Sequence, residues 1–270
     1  MKKLLLAALT CAAALSFTAC GSKTTTKKAT TAASKKLIVG TNAEFPPFEY
    51  KEGSEVTGFD IDLIKAYGAY ANVEIEIQDM EFDAALAGVN TGKVDVAIAG
   101  ITANDARREV MSFSNGYYSS NQVVVVNNDS TTLTTLTTEA EILEALKNKN
   151  IGCQRGTTGQ YYIEGDEDWG FSGIAGADAK LYDNAPTALQ ALKNKQVDAV
   201  IIDEAPAKSI VDSKFSTSLT VLSTALTSEE YAIAVKKGNT ELVESLNAFL
   251  AAYKANGEYD KLIKKYFDAE

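Results

Sequence analysis

Four stretches of the chain carry residue types suited to gripping a small charged molecule. Residues 100–107 read Gly-Ile-Thr-Ala-Asn-Asp-Ala-Arg after an apolar run, and a helix is expected to start near Asn104. Thr102 to Asp105 has capping-pair spacing, and the free N–H groups of a helix start attract anions. Arg107 falls in the first turn, where a cation opposes the helix dipole, so helix stability does not explain it. A guanidinium there suits a bidentate pair with a carboxylate. The alternative is a surface arginine paired with Glu109 or Asp105.

Residues 154–159, Gln-Arg-Gly-Thr-Thr-Gly, follow a second apolar run. Two glycines around Thr157 and Thr158 suit a backbone nest for an anion, or an ordinary strand-to-helix turn. The spacing is not that of a P-loop, so a nucleoside triphosphate is not indicated. Asp203 ends the run Val200-Ile201-Ile202, placed to meet an ammonium or else to act as an N-cap, with Glu204 charging the next helix start. In residues 42–50, Pro46 and Pro47 stiffen an extended loop that presents Phe45 and Phe48, one for a core and one for a pocket wall. An anion cradle, a guanidinium, a carboxylate and an aromatic wall together match the parts of an α-amino acid.

These groups need a scaffold, and the pattern supplies one. Residues 37–39 are a short apolar run, 73–77 alternate, and 94–99 and 197–202 are apolar, all read as strands. Helices are expected over 59–71, 82–90, 139–146, 241–255 and 258–267, with another opened by Asn184 and Pro186. Thr138 and Glu141 have capping-box spacing. Alternating strands and helices predict an α/β fold with mostly parallel sheets. Residues 85–100 and 188–203 echo each other as helix, polar turn, Val-Asp and apolar strand. The echo places Gly100 and Asp203 at matching carboxyl ends of strands, where open α/β sheets bind ligands.

Composition narrows the function. The 270 residues are 46% hydrophobic, enough for two folded domains. A net charge of −10 repels phosphate backbones, which argues against a nucleic-acid partner. Zero histidines exclude histidine-based triads and histidine metal sites, and no cofactor is expected. Lys2 and Lys3 precede an apolar stretch over 4–15 that is too short to span a bilayer but fits a secretory leader. Small residues then lead to Cys20, which resembles a lipobox: residues 1–19 as leader and Cys20 acylated, with simple cleavage after Ala19 as the alternative. Residues 20–35 lack large apolar side chains and read as a flexible linker beside the lipid anchor. Cys153 is then a lone thiol, expected in a buried strand.

Taken jointly, Phe45-Pro46-Pro47-Phe48-Glu49, the run Gly58 to Leu63, Ala99-Gly100-Ile101-Thr102 through Arg107, Phe113-Ser114 with Tyr117-Tyr118, Gly156-Thr157-Thr158-Gly159 and Asp203-Glu204 resemble the family-3 bacterial extracellular solute-binding proteins. The resemblance runs from about residue 37 to 267. It implies a two-lobed type II periplasmic-binding fold, with lobe one as residues 36–118 plus 229–270, lobe two as 119–228, and crossings near 117–121 and 226–231. It implies that Arg107, Thr102 and Thr158 hold a ligand α-carboxylate, that the Gly100 carbonyl and Asp203 hold its ammonium, and that Phe45 and Phe82 sandwich its side chain. Asn42 and Gln154 stand where relatives with cationic or glutamine ligands often carry Asp and Lys, which favours a polar L-amino acid with an uncharged side chain, while Glu44 and Glu49 leave a cationic one open. The expected protein is a monomeric receptor, lipid-anchored outside the cell membrane of a bacterium with one membrane, delivering its ligand to an ABC importer permease. Its competitors are an amino-acid sensor and a cyclohexadienyl-dehydratase-like enzyme on the same scaffold.

Overall fold

The structure, a computed structural model, describes residues 35–267. The expected leader, Cys20 and all but the last residue of the linker lie outside the described residues. Among the described residues no helix is long and apolar enough to cross a membrane.

The chain opens with β1 (Lys36–Thr41), then a small meander of β2 (Glu44–Phe45), β3 (Glu49–Glu52) and β4 (Glu55–Thr57). Next come α1 (Phe59–Ala71), β5 (Glu74–Asp79), α2 (Phe82–Thr91), β6 (Val96–Ala97), α3 (Asp105–Val110) and β7 (Met111–Phe113). A short strand, β8 (Tyr118–Ser120), leads to a second set: β9 (Gln122–Asn127), α4 (Glu139–Leu146), β10 (Asn150–Gln154), α5 (Thr158–Glu164), β11 (Asp178–Tyr182), α6 (Ala185–Lys193), β12 (Ala199–Asp203), α7 (Glu204–Ile210) and β13 (Leu219–Val221). The return runs through β14 (Glu229–Tyr231) to β15 (Ala234–Lys236), α8 (Thr240–Ala255) and α9 (Glu258–Tyr266).

Two five-stranded sheets result, ordered β5-β1-β6-β15-β7 and β11-β10-β12-β9-β13. Between them β8 and β14 pair antiparallel, Glu229 opposite Ser120 and Tyr231 opposite Tyr118. Each sheet is mixed rather than mostly parallel. β1 is parallel to β5 and β6, and β10 to β11 and β12, because helices carry the chain back between these strands. β6 and β12 run toward the linking strands. β9 and β15 start from those linkers and run back, so they pair antiparallel with β12 and β6.

The internal echo is a structural repeat. The Asp95 carboxylate accepts the Ile38 N–H at 2.8 Å, and Asp198 accepts the Asn150 N–H at 2.9 Å, each clipping the start of its sheet's second strand. The preceding turn needs a left-handed residue in both copies: Gly92 at φ 76° and Lys195 at φ 59°. Nothing lies within 4 Å of a Cβ built on Gly92. Gly92→Ala is therefore expected to cost about 1–2 kcal/mol through backbone strain alone, read as a lower denaturant midpoint with an unchanged m-value.

The expected helices appear with bounds shifted by a residue or less, and strand 94–99 shortens to β6. α1 buries Phe59, Ile61, Leu63, Ile64 and Tyr67, each such side chain contributing about 1.5–3 kcal/mol. Thr138 and Glu141 form the expected capping box, and Asn184 accepts the Thr187 N–H. Cys153 is a buried free thiol in β10.

Candidate functional site

The carboxyl ends of β1, β6, β10 and β12 converge on a small cavity of about 20 Å³. Its lining includes all ten residues expected from sequence: Asn42, Phe45, Phe82, Gly100, Thr102, Arg107, Gln154, Thr157, Thr158 and Asp203, joined by Glu49 and Ala99.

Arg107 dominates one end. Asn104, not Thr102, caps α3, and its side chain accepts the Arg107 N–H at 2.9 Å. Only 6% of Arg107 is exposed. Its guanidinium donates to the Thr102 carbonyl at 2.9 Å and to the Gly156 carbonyl at 3.0 Å, so it reaches from one sheet's loops to the other's. Phe82 and Trp169 face it, with ring centroids 5.4 and 4.9 Å away. Neither Asp105 nor Glu109 pairs with it, and among the described residues no carboxylate lies within 4 Å. Burial lowers its pKa to about 10, against the opposing pull of Glu229. A buried cation with two of five N–H groups engaged by neutral carbonyls has donors left to give an anion.

The loop before α5 is only partly the expected nest. The Gly156 N–H is already taken by Gln160 Oε1 at 2.7 Å, and the Thr157 hydroxyl donates to the Gln154 carbonyl at 2.7 Å. The hydroxyls aimed inward are those of Thr102 and Thr158, 3.4 Å apart. Both donate to Glu229 Oε2, Thr158 at 2.8 Å.

Asp203 dominates the other end. It occupies the N-cap position of α7 but makes no side-chain cap bond. The Tyr231 hydroxyl donates to it at 2.5 Å and Ser120 Oγ at 3.2 Å. Burial pushes its pKa to about 7, with the Glu229 charge adding to the rise and the Tyr231 hydrogen bond opposing it. Gly100 closes the floor. A Cβ there would meet the Phe45 ring at 2.9 Å, and its N–H donates to Asp60 Oδ2 at 2.9 Å. Buried Asp60 also accepts from the Tyr117 hydroxyl at 2.7 Å, and burial lifts its pKa to about 6. Beside it Glu49 is buried, and burial, the Asp60 charge and a hydrogen bond to Asp60 raise it well above the usual carboxylate range.

The remaining wall is aromatic and amide. Phe45 faces the cavity while Phe48 is fully buried against Phe59, Tyr118 and Tyr231. Gln154 Nε2 donates to Asn42 Oδ1 at 2.9 Å and to the Asp183 carbonyl at 3.1 Å, and Asn42 Nδ2 donates to the Met80 carbonyl at 3.0 Å. This amide pair joins the two sheets, as does the Arg107–Gly156 bond.

Sequence reasoning missed Glu229, Tyr231, Ser120 and Trp169. Glu229 and Tyr231 sit two apart on one strand and so share a face. Trp169, the chain's sole tryptophan, is set by a turn in which Asp166 Oδ1 accepts the Asp168 and Trp169 N–H groups.

Residues 37–269 match the family described as bacterial extracellular solute-binding proteins, family 3. The chain belongs to that family. It is 32% identical over 270 residues to the arginine-binding extracellular protein ArtP of Bacillus subtilis, covering all of both chains. The solved arginine-, lysine-, histidine-binding protein ArtJ of Geobacillus stearothermophilus superposes with a TM-score of 0.76 at 31% identity, covering 87% of this chain and 96% of that one. An ancestral arginine-binding protein bound to glutamine gives a TM-score of 0.76 at 35% identity, over 87% of this chain and 98% of the other. Family-3 solute-binding proteins with two sheet-containing lobes thus account for the mixed sheets, the paired linkers and the cleft of this chain.

Proposed function

We propose that this chain captures a polar L-amino acid between its two lobes and hands it to the permease of an ABC importer. The observation that carries the reading is the buried Arg107 guanidinium, with no ion-pair partner among the described residues, lining the same cavity as the buried Asp203 carboxylate. The guanidinium with the Thr102 and Thr158 hydroxyls receives the α-carboxylate. Asp203 with the Gly100 carbonyl receives the α-ammonium, and Phe45, Phe82, Asn42 and Gln154 surround the side chain. Lobe one is residues 36–118 plus 229–270 and lobe two is 119–228, with β8 and β14 as the hinge. Ligand bridges the half-sites and shifts the population toward the closed form. Acylated Cys20 and the linker keep the monomer near its permease, outside the cell membrane.

A melting-temperature screen against the twenty amino acids plus cystine and ornithine tests this. Ligand at about 100 times Kd is expected to stabilise by about 2.7 kcal/mol. A screen in which no compound raises the melting temperature overturns the reading. Trp169 supplies a second readout, since its ring stacks on Tyr161 and faces the Arg107 guanidinium across the cleft. Its emission is expected to shift on saturation with the compound found. An unchanged spectrum would mean that the Trp169 loop does not report closure.

A further inference from the structure

We propose that Glu229 is an internal carboxylate that takes the ligand carboxylate's place in the empty protein and is expelled when an amino acid arrives. The inference rests on the reading that Thr102 and Thr158 receive the ligand's α-carboxylate. Both hydroxyls donate to Glu229 Oε2, Thr158 at 2.8 Å, while Thr227 Oγ1 donates to Oε1 at 2.6 Å. A threonine hydroxyl has one proton to give. Neither can serve Glu229 and a ligand carboxylate together, and two carboxylates held on the same hydroxyls repel each other. Binding at this end is therefore an exchange of one carboxylate for another.

The exchange is tied to the hinge. Thr102 follows β6 of the first sheet, Thr158 opens α5 beside the second, and Glu229 begins the linking strand β14. The Glu229 carboxylate thus fastens the two halves together. Two residues along the same face of β14, Tyr231 holds Asp203. Movement of Glu229 off the threonines is transmitted along this strand to the ammonium end, so that ligand contacts at the two ends form together.

The test compares wild type, Glu229→Ala, Glu229→Gln and Arg107→Ala. Each is titrated calorimetrically with L-arginine and L-glutamine, and its ligand-free form is measured by small-angle X-ray scattering. Glu229→Ala is expected to bind at least fivefold more tightly than wild type, and its ligand-free form to have a larger radius of gyration. Glu229→Gln keeps an acceptor oxygen without the charge and is expected to fall between, which guards against a folding defect in the alanine variant. Weaker binding by both Glu229 variants would make Glu229 a ligand contact and overturn the proposal, as would unchanged affinity with unchanged dimensions. If wild type and Arg107→Ala bind equally well, the carboxylate-site reading fails instead; if neither amino acid binds wild type, the titrations are run with the compound that raises its melting temperature most. The scattering comparison then still decides whether Glu229 fastens the empty lobes.

Discussion

Arg107→Ala is expected to weaken amino-acid binding by about 3–5 kcal/mol, two to three and a half orders of magnitude in Kd, because it leaves a buried carboxylate without its charge partner. The size of the effect follows from the way the guanidinium is held. Its contacts inside the protein are neutral carbonyls at 2.9 and 3.0 Å and two aromatic faces, none of which neutralises it. Among the described residues no carboxylate lies within 4 Å of it, and the Glu229 charge acts on it only from farther off, so an incoming carboxylate is its first direct ion pair. Arg107→Lys is expected to recover little, since a lysine loses the planar fork that reaches Thr102 and Gly156 together. Calorimetric titration decides it: a change of less than threefold in Kd for the alanine variant removes Arg107 from the site.

Affinity is also expected to fall as pH drops below about 7, and Asp203→Asn is expected to flatten that dependence while weakening binding at pH 8 by more than 2 kcal/mol. Burial and the Glu229 charge raise the Asp203 pKa to about 7, so below that pH it holds a proton. An ammonium selects the ionised form, and binding must then release the proton. Kd is expected to rise by up to about tenfold per pH unit once the pH is well below 7. Stability of the empty protein runs the other way. An unfolded aspartate loses its proton near pH 4, whereas folded Asp203 keeps it until about 7 and Asp60 until about 6. Between pH 4 and 7 the folded state therefore holds more protons, and these two groups make it less stable as pH rises. Melting curves and titrations over pH 5–8 check both signs. Equal Kd values at pH 5.5 and 7.5 would remove Asp203 as the ammonium's partner.

The sequence disclosed the half of the site whose residues sit at the ends of recognisable strands. Gly100 and Asp203 were legible because the repeat of helix, Val-Asp and apolar strand marks both edges, and the Asp95 and Asp198 clips show why that dipeptide recurs. Arg107 stood out because it violates the helix dipole. Phe45 and Phe48 could not be told apart by spacing; only packing sends Phe48 into the core. Glu229 was illegible for a different reason. Its contact with Thr102 spans 127 residues of chain, and its neighbours Ser228 and Glu230 look like any polar turn. The antiparallel half of each sheet was hidden likewise, since the direction of β9 and β15 is set by which lobe the chain has just left. The nest over Gly156 was overread, because Gln160 four residues on satisfies the N–H that made it attractive.

The pairing of β8 with β14 has a topological consequence. Ser120 and Glu229 face each other across one antiparallel ladder, so the point where the chain leaves the first half lies about 5 Å from where it comes back. A two- or three-residue splice from 120 to 229 would therefore be a tight hairpin that β8 and β14 are already shaped to accept. The second sheet draws all five of its strands from between those two points, so one excursion of the chain builds it whole.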